Sequence, residues 1–224
     1  MKNLKVDSGN ELESIMENEE VQAWRSSLMI YDFAVNEIST KLNILNNEFK
    51  NLHEYNPIEH IKTRVKKPRS IVSKLISRGI EPTVKNAEEC LTDIAGVRII
   101  CAFEEDIYKI FNILVRQDDI RVTEIKDYIE NPKENGYRSL HVLIEIPVFL
   151  STGTKYVAVE IQIRTIAMDF WASLEHKIYY KYRDKSLGNI SGDLKECAEM
   201  IKILDKKMTD IKSNINNLNN GEEK

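Results

Sequence analysis

The chain has 224 residues, of which 42% are hydrophobic and 30% charged, so it carries enough apolar material for a core of its own. Its 8 glycines and 5 prolines exclude collagen-like and low-complexity classes. No stretch is long and apolar enough to cross a membrane, and the acidic N-terminus has no apolar signal-peptide core. Three widely spaced cysteines, Cys90, Cys101 and Cys197, argue against a disulfide framework or a CxxC zinc site. They favour a reducing cytoplasm.

Charge is distributed unevenly along this chain, whose net charge is −4. Residues 61–78 include seven basic residues and no acidic one, although Asp and Glu outnumber Lys and Arg overall. A solvated basic face is one explanation of such a run, and a binding site for an anion, above all phosphate, is the other. Nucleic acid stays open as a partner, although the acidic remainder opposes the wrapping of a long polyanion.

In chain order, we expect a flexible N-terminus over residues 1–20 and then a long amphipathic helix over residues 21–56. The apolar residues of this helix alternate at spacings of four and three. The apolar period then shortens. Four segments rich in Val and Ile are predicted as β-strands: Val97–Phe103, Ile120–Ile129, Ser139–Val148 and Lys155–Arg164.

Two further helices are predicted between and after these strands, over Glu104–Gln117 and from Thr165 to Tyr182. Residues 151–154 are predicted as a hairpin loop between the last two strands. The sequence therefore predicts an α+β domain over residues 57–185, in which helices flank a mixed sheet of four to five strands.

The C-terminal segment predicts a second amphipathic helix over residues 190–218, followed by a disordered tail over residues 219–224. Asp193 and Glu196 are spaced as a capping box at the start of this helix. Both terminal helices either pack on their own chain or build an oligomer interface. The heptad spacing alone does not decide between these two arrangements.

One face of the last predicted strand carries Glu160, Gln162 and Arg164, whereas the opposite face is wholly apolar. This face either meets solvent or binds a ligand, and His141 would lie beside Glu160 if the last two strands pair. Asp93 comes just before the first predicted strand, so it could join Glu160 on one Mg²⁺. That ion typically takes one or two carboxylates together with substrate phosphate oxygens.

A turn-rich loop, NPKENGYRS, separates the second and third predicted strands. Its aromatic residue, Tyr137, either covers the sheet or stacks on a nucleobase, an interaction worth about 1–3 kcal/mol. The motif GxxxxGK[ST] does not occur, which argues against a P-loop kinase.

Five segments carry a resemblance when they are taken in order: RVKKPRSIVSKL, LTDIAGVRIIC, ENGYRSLH, VEIQIRT and AMDFWASLEHKIYYKY. Over residues 59–182 they resemble the synthetase domain of the RelA/SpoT family, which implies a nucleotidyltransferase-like synthetase fold. With long helices at both ends, the chain is similar to the single-domain small alarmone synthetases of bacteria. No His-Asp dipeptide occurs, so the resemblance does not extend to the family's metal-dependent hydrolase domain. Synthesis without hydrolysis is implied.

The resemblance implies a GTP diphosphokinase that transfers the β,γ-pyrophosphate of ATP to the ribose 3′-hydroxyl of GDP or GTP. The products are AMP and ppGpp or pppGpp, the alarmones of the stringent response. Asp93 and Glu160 would hold Mg²⁺ as the catalytic pair, and Glu160 would also orient or deprotonate the hydroxyl. Small members of the family are commonly homotetramers, so a cytoplasmic homo-oligomer is implied.

The resemblance also assigns nucleotide contacts by position. ATP would be bound by Arg64, Lys66, Ser70, Lys74, Arg78 and Arg98, with Lys67 as an alternative to Lys66. GDP or GTP would be bound by Lys126, Lys133, Glu134, Asn135, Tyr137, His141 and Gln162. Two other functions stay open at this point. A catalytically silent nucleotide or RNA sensor needs neither carboxylate, and a nucleotidyl transferase would release pyrophosphate rather than AMP.

Overall fold

The computed structural model describes residues 8–182 and 190–221. Six helices and five strands follow in this order: α1 (Ser8–Leu52), β1 (Ile58–Val65), α2 (Pro68–Ser77), α3 (Val84–Cys90), β2 (Ala95–Cys101), α4 (Glu104–Leu114), β3 (Arg121–Asp127), β4 (Leu140–Leu150), β5 (Gly153–Thr165), α5 (Ile166–Tyr182) and α6 (Ile190–Gly221). Within these ranges, no helix is both long and apolar enough to span a membrane.

The five strands form one sheet in the order β1-β2-β5-β4-β3. Only the central pair, β2 and β5, is parallel, and the other neighbours are antiparallel. The core face of β5 presents Val157, Val159, Ile161 and Ile163, all buried, and α1 and α4 pack against the sheet. The sheet is therefore mixed and flanked by helices, which confirms the predicted α+β class.

Helix α1 packs on its own chain through one narrow face. Its buried residues recur every three or four positions: Tyr31, Ala34, Val35, Ile38 and Leu42. The helix begins at Ser8, which corrects the expected flexible N-terminus, since residues 8–20 are helical and residues 1–7 lie outside the described residues. Glu, Leu and Met favour helix there and no proline interrupts it. It ends at Leu52 rather than at residue 56, because the residue before Pro57 disfavours helix.

Strand β1 was not predicted, because its apolar residues do not alternate. Ile58 and Ile61 are three residues apart, a spacing typical of a helix. A register shift between Ile58 and His60 nevertheless places both on β2, where they pair with Cys101 and Ile99. Such a bulge adds one residue and so breaks the period of two by which strands are recognised.

Helix α6 begins before the predicted capping box. Asp193 lies in its first turn rather than at the N-cap, so that prediction is wrong. Leu194 in this part of the helix is buried against Trp171, whose indole N–H donates to the Leu194 carbonyl at 2.9 Å. The helix continues to Gly221, so residues 219–221 of the expected disordered tail are helical, and residues 222–224 lie outside the described residues.

Candidate active site

Two rows of side chains cross the face of the sheet opposite the core. The strand register fixes both rows, because side chains two residues apart on a strand share a face. The first row runs through Lys62, Arg98, Gln162, His141 and Lys126. The second runs through Arg64, Gly96, Glu160, Leu143 and Glu124. Residues predicted to bind ATP and residues predicted to bind GDP or GTP therefore lie on the same face of the sheet.

Glu160 lies at the boundary between two cavities on this face. One cavity of about 210 Å³ is lined by Arg64, Arg98 and Gln162, among others. A smaller one of about 50 Å³ is lined by Lys126 and His141. Glu160 lines both cavities. One carboxylate therefore separates the arginine-lined side, where ATP is predicted, from the side predicted to hold the acceptor.

Asp93 lies between the basic segment and the sheet. Its Oδ2 accepts hydrogen bonds from Nζ of Lys66 and Nζ of Lys74, each at 2.6 Å. Burial alone would raise the pKa of Asp93, but the two ammonium groups outweigh it and hold the pKa below its usual value. Of the two adjacent lysines, Lys66 contacts Asp93, whereas Lys67 is exposed at the start of α2.

The two carboxylates fit the predicted Mg²⁺. Asp93 Oδ1 is buried without a hydrogen-bond partner among the described residues. Asp93 and Glu160 are close enough that the charge of Asp93 acts to raise the pKa of Glu160. No group of three or more His, Cys, Asp or Glu residues that could hold a metal occurs in the described chain. Two carboxylates with an unused oxygen suit an ion that completes its shell with phosphate oxygens.

The remaining predicted ATP residues lie around these carboxylates. Ser70 is exposed in the first turn of α2, one turn before Lys74. Arg78 follows the last residue of that helix, where its Nη1 donates to the Cys90 carbonyl at 3.0 Å. The structure thus places Arg78 against the end of α3.

Arg64 and Arg98 face the larger cavity from neighbouring strands. A Cβ added at Gly96 would lie 3.7 Å from both Cγ and Nε of Arg64, so Arg64 extends directly over this glycine. Arg98 Nη1 donates to Asp169 Oδ1 at 3.0 Å, and its Nε is buried without a partner among the described residues. The adenine contact of these two guanidinium groups stays a prediction.

The acceptor loop, residues 131–139, is held by its own polar groups. Asn135 Oδ1 accepts a hydrogen bond from the backbone N–H of Tyr137 at 3.1 Å, and its amide nitrogen donates to Glu175 at 3.2 Å. Lys133 Nζ lies 4.9 Å from the centroid of the Tyr137 ring. Glu134 is exposed. Asn135 therefore acts on loop conformation in this structure, and its predicted nucleotide contact stays a prediction.

Side chains surround the ring of Tyr137. The ring centroids of Tyr128, His141 and Trp171 lie 6.0, 5.7 and 6.4 Å from it. Burial raises the pKa of its hydroxyl. The predicted stacking on guanine therefore requires a neighbour to move, and the exposed ammonium of Lys133 is free to do so.

Glu160 receives two hydrogen bonds, one on each oxygen. His141 Nδ1 lies 3.2 Å from Oε1, as expected from the predicted pairing of strands, and Gln162 Nε2 lies 3.0 Å from Oε2. Burial alone would raise the pKa of Glu160, but His141 and Gln162 outweigh it and the pKa lies below its usual value. Lys126 bonds Glu124 at 2.9 Å, which raises the pKa of Lys126. Glu160 is therefore an anion at neutral pH.

The sequence predicted no catalytic or nucleotide-binding role for Arg164 or Asp169, although the resemblance made activation by the product plausible through Asp169. The structure places both residues beside the site. Arg164 is buried and donates to the hydroxyl of Tyr137, to Gln162 Oε1 at 2.7 Å and to Asp169 Oδ1 at 3.3 Å. Asp169 thus contacts Arg164 as well as Arg98. The period of two along β5 placed Arg164 on the face of Glu160, which was the available signal. Nothing in the sequence pairs Asp169 with either arginine.

Two carboxylates between two groups of basic and aromatic residues suit an enzyme that transfers phosphoryl groups between nucleotides, because that reaction depends mostly on positioning and charge neutralisation. Residues 63–185 match the family described as "Region found in RelA / SpoT proteins". The match covers more than half of the chain, so the chain belongs to the RelA/SpoT family. The predicted family is thereby confirmed.

Similar proteins agree over nearly the whole chain. GTP pyrophosphokinase YwaC of Bacillus subtilis is 49% identical over 212 residues, which cover 95% of this chain and 99% of the relative. The crystal structure of small alarmone synthetase 2 from Bacillus subtilis has a TM-score of 0.77 at 50% identity, with 85% of this chain and 98% of that chain covered. Small alarmone synthetase 1 from the same organism, solved with its product pppGpp, has a TM-score of 0.81 at 36% identity, with 87% and 98% covered.

Proposed function

We propose that this chain is a GTP pyrophosphokinase that transfers the β,γ-pyrophosphate of ATP to the ribose 3′-hydroxyl of GDP or GTP. The products are AMP and the alarmone ppGpp or pppGpp. One observation carries the proposal: the carboxylate of Glu160 lines both the cavity of Arg64 and Arg98 and the cavity of Lys126 and His141. A group in that position faces donor and acceptor at once. The relatives named GTP pyrophosphokinase and the neighbour solved with pppGpp support the same activity.

In the proposed reaction, the 3′-oxygen bonds to the β-phosphorus as the bond from that phosphorus to the α,β-bridging oxygen breaks, which releases AMP. Glu160 orients the hydroxyl and takes up its proton as the new bond forms. Because the pKa of Glu160 is low, alignment of the hydroxyl contributes more than basicity. The arginine pair, Arg64 and Arg98, would hold adenine, and Tyr137 would hold guanine.

Mg²⁺ is the metal proposed for Asp93 and Glu160. When bound, it neutralises the negative charge of the transferring phosphates. Lys66, Ser70 and Lys74 would bind those phosphates, since the two ammonium groups converge within 2.6 Å of one Asp93 oxygen and so lie where an anion is already held. Arg78 would bind phosphate only after releasing the Cys90 carbonyl.

The test is incubation of the purified chain with ATP, GDP and Mg²⁺, followed by separation of all nucleotides by anion exchange. We expect AMP to appear one-for-one with a guanosine nucleotide that is retained longer than GDP. Pyrophosphate without AMP would indicate a nucleotidyl transferase instead. Binding of ATP without any product, with GDP and with GTP, would favour the silent sensor. Asp93→Asn is the matched control, because it removes one carboxylate without changing side-chain size.

We further propose a cytoplasmic homo-oligomer, with a tetramer as the expected form. Two apolar residues of the predicted C-terminal helix, Leu194 and Ile201, pack on their own chain. The neighbouring face of α6 is an exposed apolar stripe, which we call the α6 stripe: Met200, Leu204, Met208, Ile211 and Ile215, each 45–59% exposed. Its spacings of four and three suit helix pairing. A second copy of the chain is the occupant that we propose for it.

A further inference from the structure

Five side chains, with Glu160 among them, form a closed ring of hydrogen bonds. Arg164 donates to the hydroxyl of Tyr137 and, at 2.7 Å, to Gln162 Oε1. The Tyr137 hydroxyl lies 2.7 Å from His141 Nε2. His141 Nδ1 and Gln162 Nε2 then meet the two oxygens of Glu160 at 3.2 and 3.0 Å. The ring therefore has two arms, one through Gln162 and one through Tyr137 and His141.

Arg164 sets the direction of both arms, because a guanidinium group donates hydrogen bonds and accepts none. Gln162 must turn its carbonyl oxygen to Arg164, so its NH₂ group faces Glu160. Tyr137 must accept with its oxygen, which leaves its single hydrogen for His141 Nε2. The imidazole then carries its hydrogen on Nδ1 and donates it to Glu160. Both oxygens of Glu160 therefore accept hydrogen bonds. The direction of these bonds is set by Arg164 on the opposite side of the ring.

Arg164 is itself fixed on its remaining sides. It is 4% exposed. Its Nε donates to Ser139 Oγ at 3.3 Å, and its Nη1 donates to Asp169 Oδ1 at 3.3 Å. The same Asp169 oxygen accepts from Arg98, which lines the larger cavity. The guanidinium therefore has a partner on every nitrogen and one available orientation.

We propose that Arg164 is a positioning residue that aligns Glu160 between the two nucleotides by fixing both hydrogen-bonding arms. The inference rests on the proposed function, since Glu160 is the carboxylate between the two cavities. Arg164 contacts neither cavity and acts only through Tyr137, Gln162 and His141. Outer partners that orient a functional carboxylate or imidazole typically change activity by about 10- to 100-fold.

The test compares Arg164→Lys with Tyr55→Phe, a variant outside both the ring and the site. A lysine keeps the positive charge, but its single ammonium cannot reach Tyr137, Gln162, Ser139 and Asp169 together. We expect kcat per folded molecule to fall about 10- to 100-fold, with KM for ATP changed less than about twofold. Tyr55 donates its hydroxyl hydrogen to the buried Asp106 at 2.5 Å, outside the ring. Tyr55→Phe should lower the unfolding temperature and leave kcat per folded molecule unchanged.

A second readout is the tautomer of His141, followed by ¹⁵N NMR without nucleotides and assigned by its loss in His141→Gln. We expect the hydrogen on Nδ1 in the unchanged chain and a mixture of tautomers in Arg164→Lys. Tyr137→Phe should give the same mixture of tautomers. This variant replaces Arg164→Lys in the measurement if Arg164→Lys does not fold. An unchanged kcat in folded Arg164→Lys overturns the inference while the proposed function stands, and so does an unchanged tautomer in either variant. No turnover by the unchanged chain refutes the proposed function, and the tautomer still tests the ring.

Discussion

Gly136 is the position where a single methyl group tests how α6 holds the acceptor loop. Its φ of +87° lies in the left-handed region, where side chains are disfavoured. A Cβ added there would lie 2.5 Å from the Cβ of Ala198, a distance that real Cβ atoms do not show. The backbone of Lys195 lies 3.6–3.8 Å away, so the added methyl group has little room to shift. Gly136→Ala should therefore push α6 away from the loop.

The cost has two parts that the structure separates. An L-residue held in the left-handed region costs about 1–2 kcal/mol. Overpacking against a buried helix typically costs about 1–3 kcal/mol. Together they destabilise the fold by about 2–5 kcal/mol, and a chain of this length loses about 2–4 °C of unfolding temperature per kcal/mol. We expect a decrease of about 4–20 °C on this scale.

Thermal unfolding of four variants measures each part. Gly79→Ala is the matched control, because Gly79 has a φ of +70° and nothing within 4 Å of an added Cβ. It should show only the backbone cost of about 1–2 kcal/mol. Adding Ala198→Gly to Gly136→Ala should restore the contact part, whereas Ala198→Gly alone costs about 1 kcal/mol of helix propensity.

The same variants connect α6 to the acceptor. Because Asn135 and Tyr137 flank Gly136, we expect the KM for the guanine nucleotide to rise more than the KM for ATP. Two results would refute the reasoning. One is a Gly136→Ala variant that is no less stable than Gly79→Ala. The other is an Ala198→Gly change that recovers neither stability nor KM.

Three further predictions address the carboxylates and the α6 stripe. Glu160→Gln should abolish formation of AMP and leave ATP affinity within a fewfold, measured by calorimetry; preserved turnover would remove Glu160 from the reaction. Because the pKa of Asp93 is lowered, its ion pairs add stability above its unfolded pKa of about 3.9 and lose it as pH falls through the lower folded pKa. Asp93→Asn should therefore lower the free energy of unfolding by about 1–3 kcal/mol at neutral pH. The difference between the two proteins should disappear below about pH 4, and a difference independent of pH would contradict this prediction. Met208→Glu with Ile211→Glu should lower the mass in light scattering, whereas Lys207→Glu on the same helix should not; an unchanged mass would leave the α6 stripe without a second copy.

Periodicity predicted those parts of the site that lie along one strand. The alternation in β5 separates Val157, Val159 and Ile161 from Glu160 and Gln162, and the structure keeps this division. It also placed His141 beside Glu160 once β4 and β5 were paired. Local pattern sufficed there because the two strands are joined by a short hairpin, so their register follows from the chain itself.

Contacts between elements that are far apart in the chain could not be predicted from the sequence. Asp169 meets Arg98 across 71 positions, and that meeting depends on how α5 leaves β5. The surroundings of Tyr137 depend in the same way on α6, whose Leu194 packs on Trp171 in the cluster that Tyr137 joins. Hydrophobic spacing specifies which face of a helix is buried and not what it is buried against. Ile201 and Met208 lie seven residues apart and so on the same face of α6, yet Ile201 is half-buried and Met208 is exposed.

The two carboxylates have different surroundings, and the difference favours an enzyme over a silent sensor. Asp93 is compensated by two ammonium groups, as in an ordinary buried ion pair. Among the described residues, no lysine or arginine pairs with Glu160, which receives hydrogen bonds from His141 and Gln162 instead. These hydrogen bonds keep the carboxylate ionised, but no lysine or arginine of the described residues compensates its charge. A protein that only bound nucleotides would gain nothing from an uncompensated negative charge there, since phosphates and carboxylates repel. A site that must attract a metal ion and a hydroxyl hydrogen at the same point requires such a negative charge.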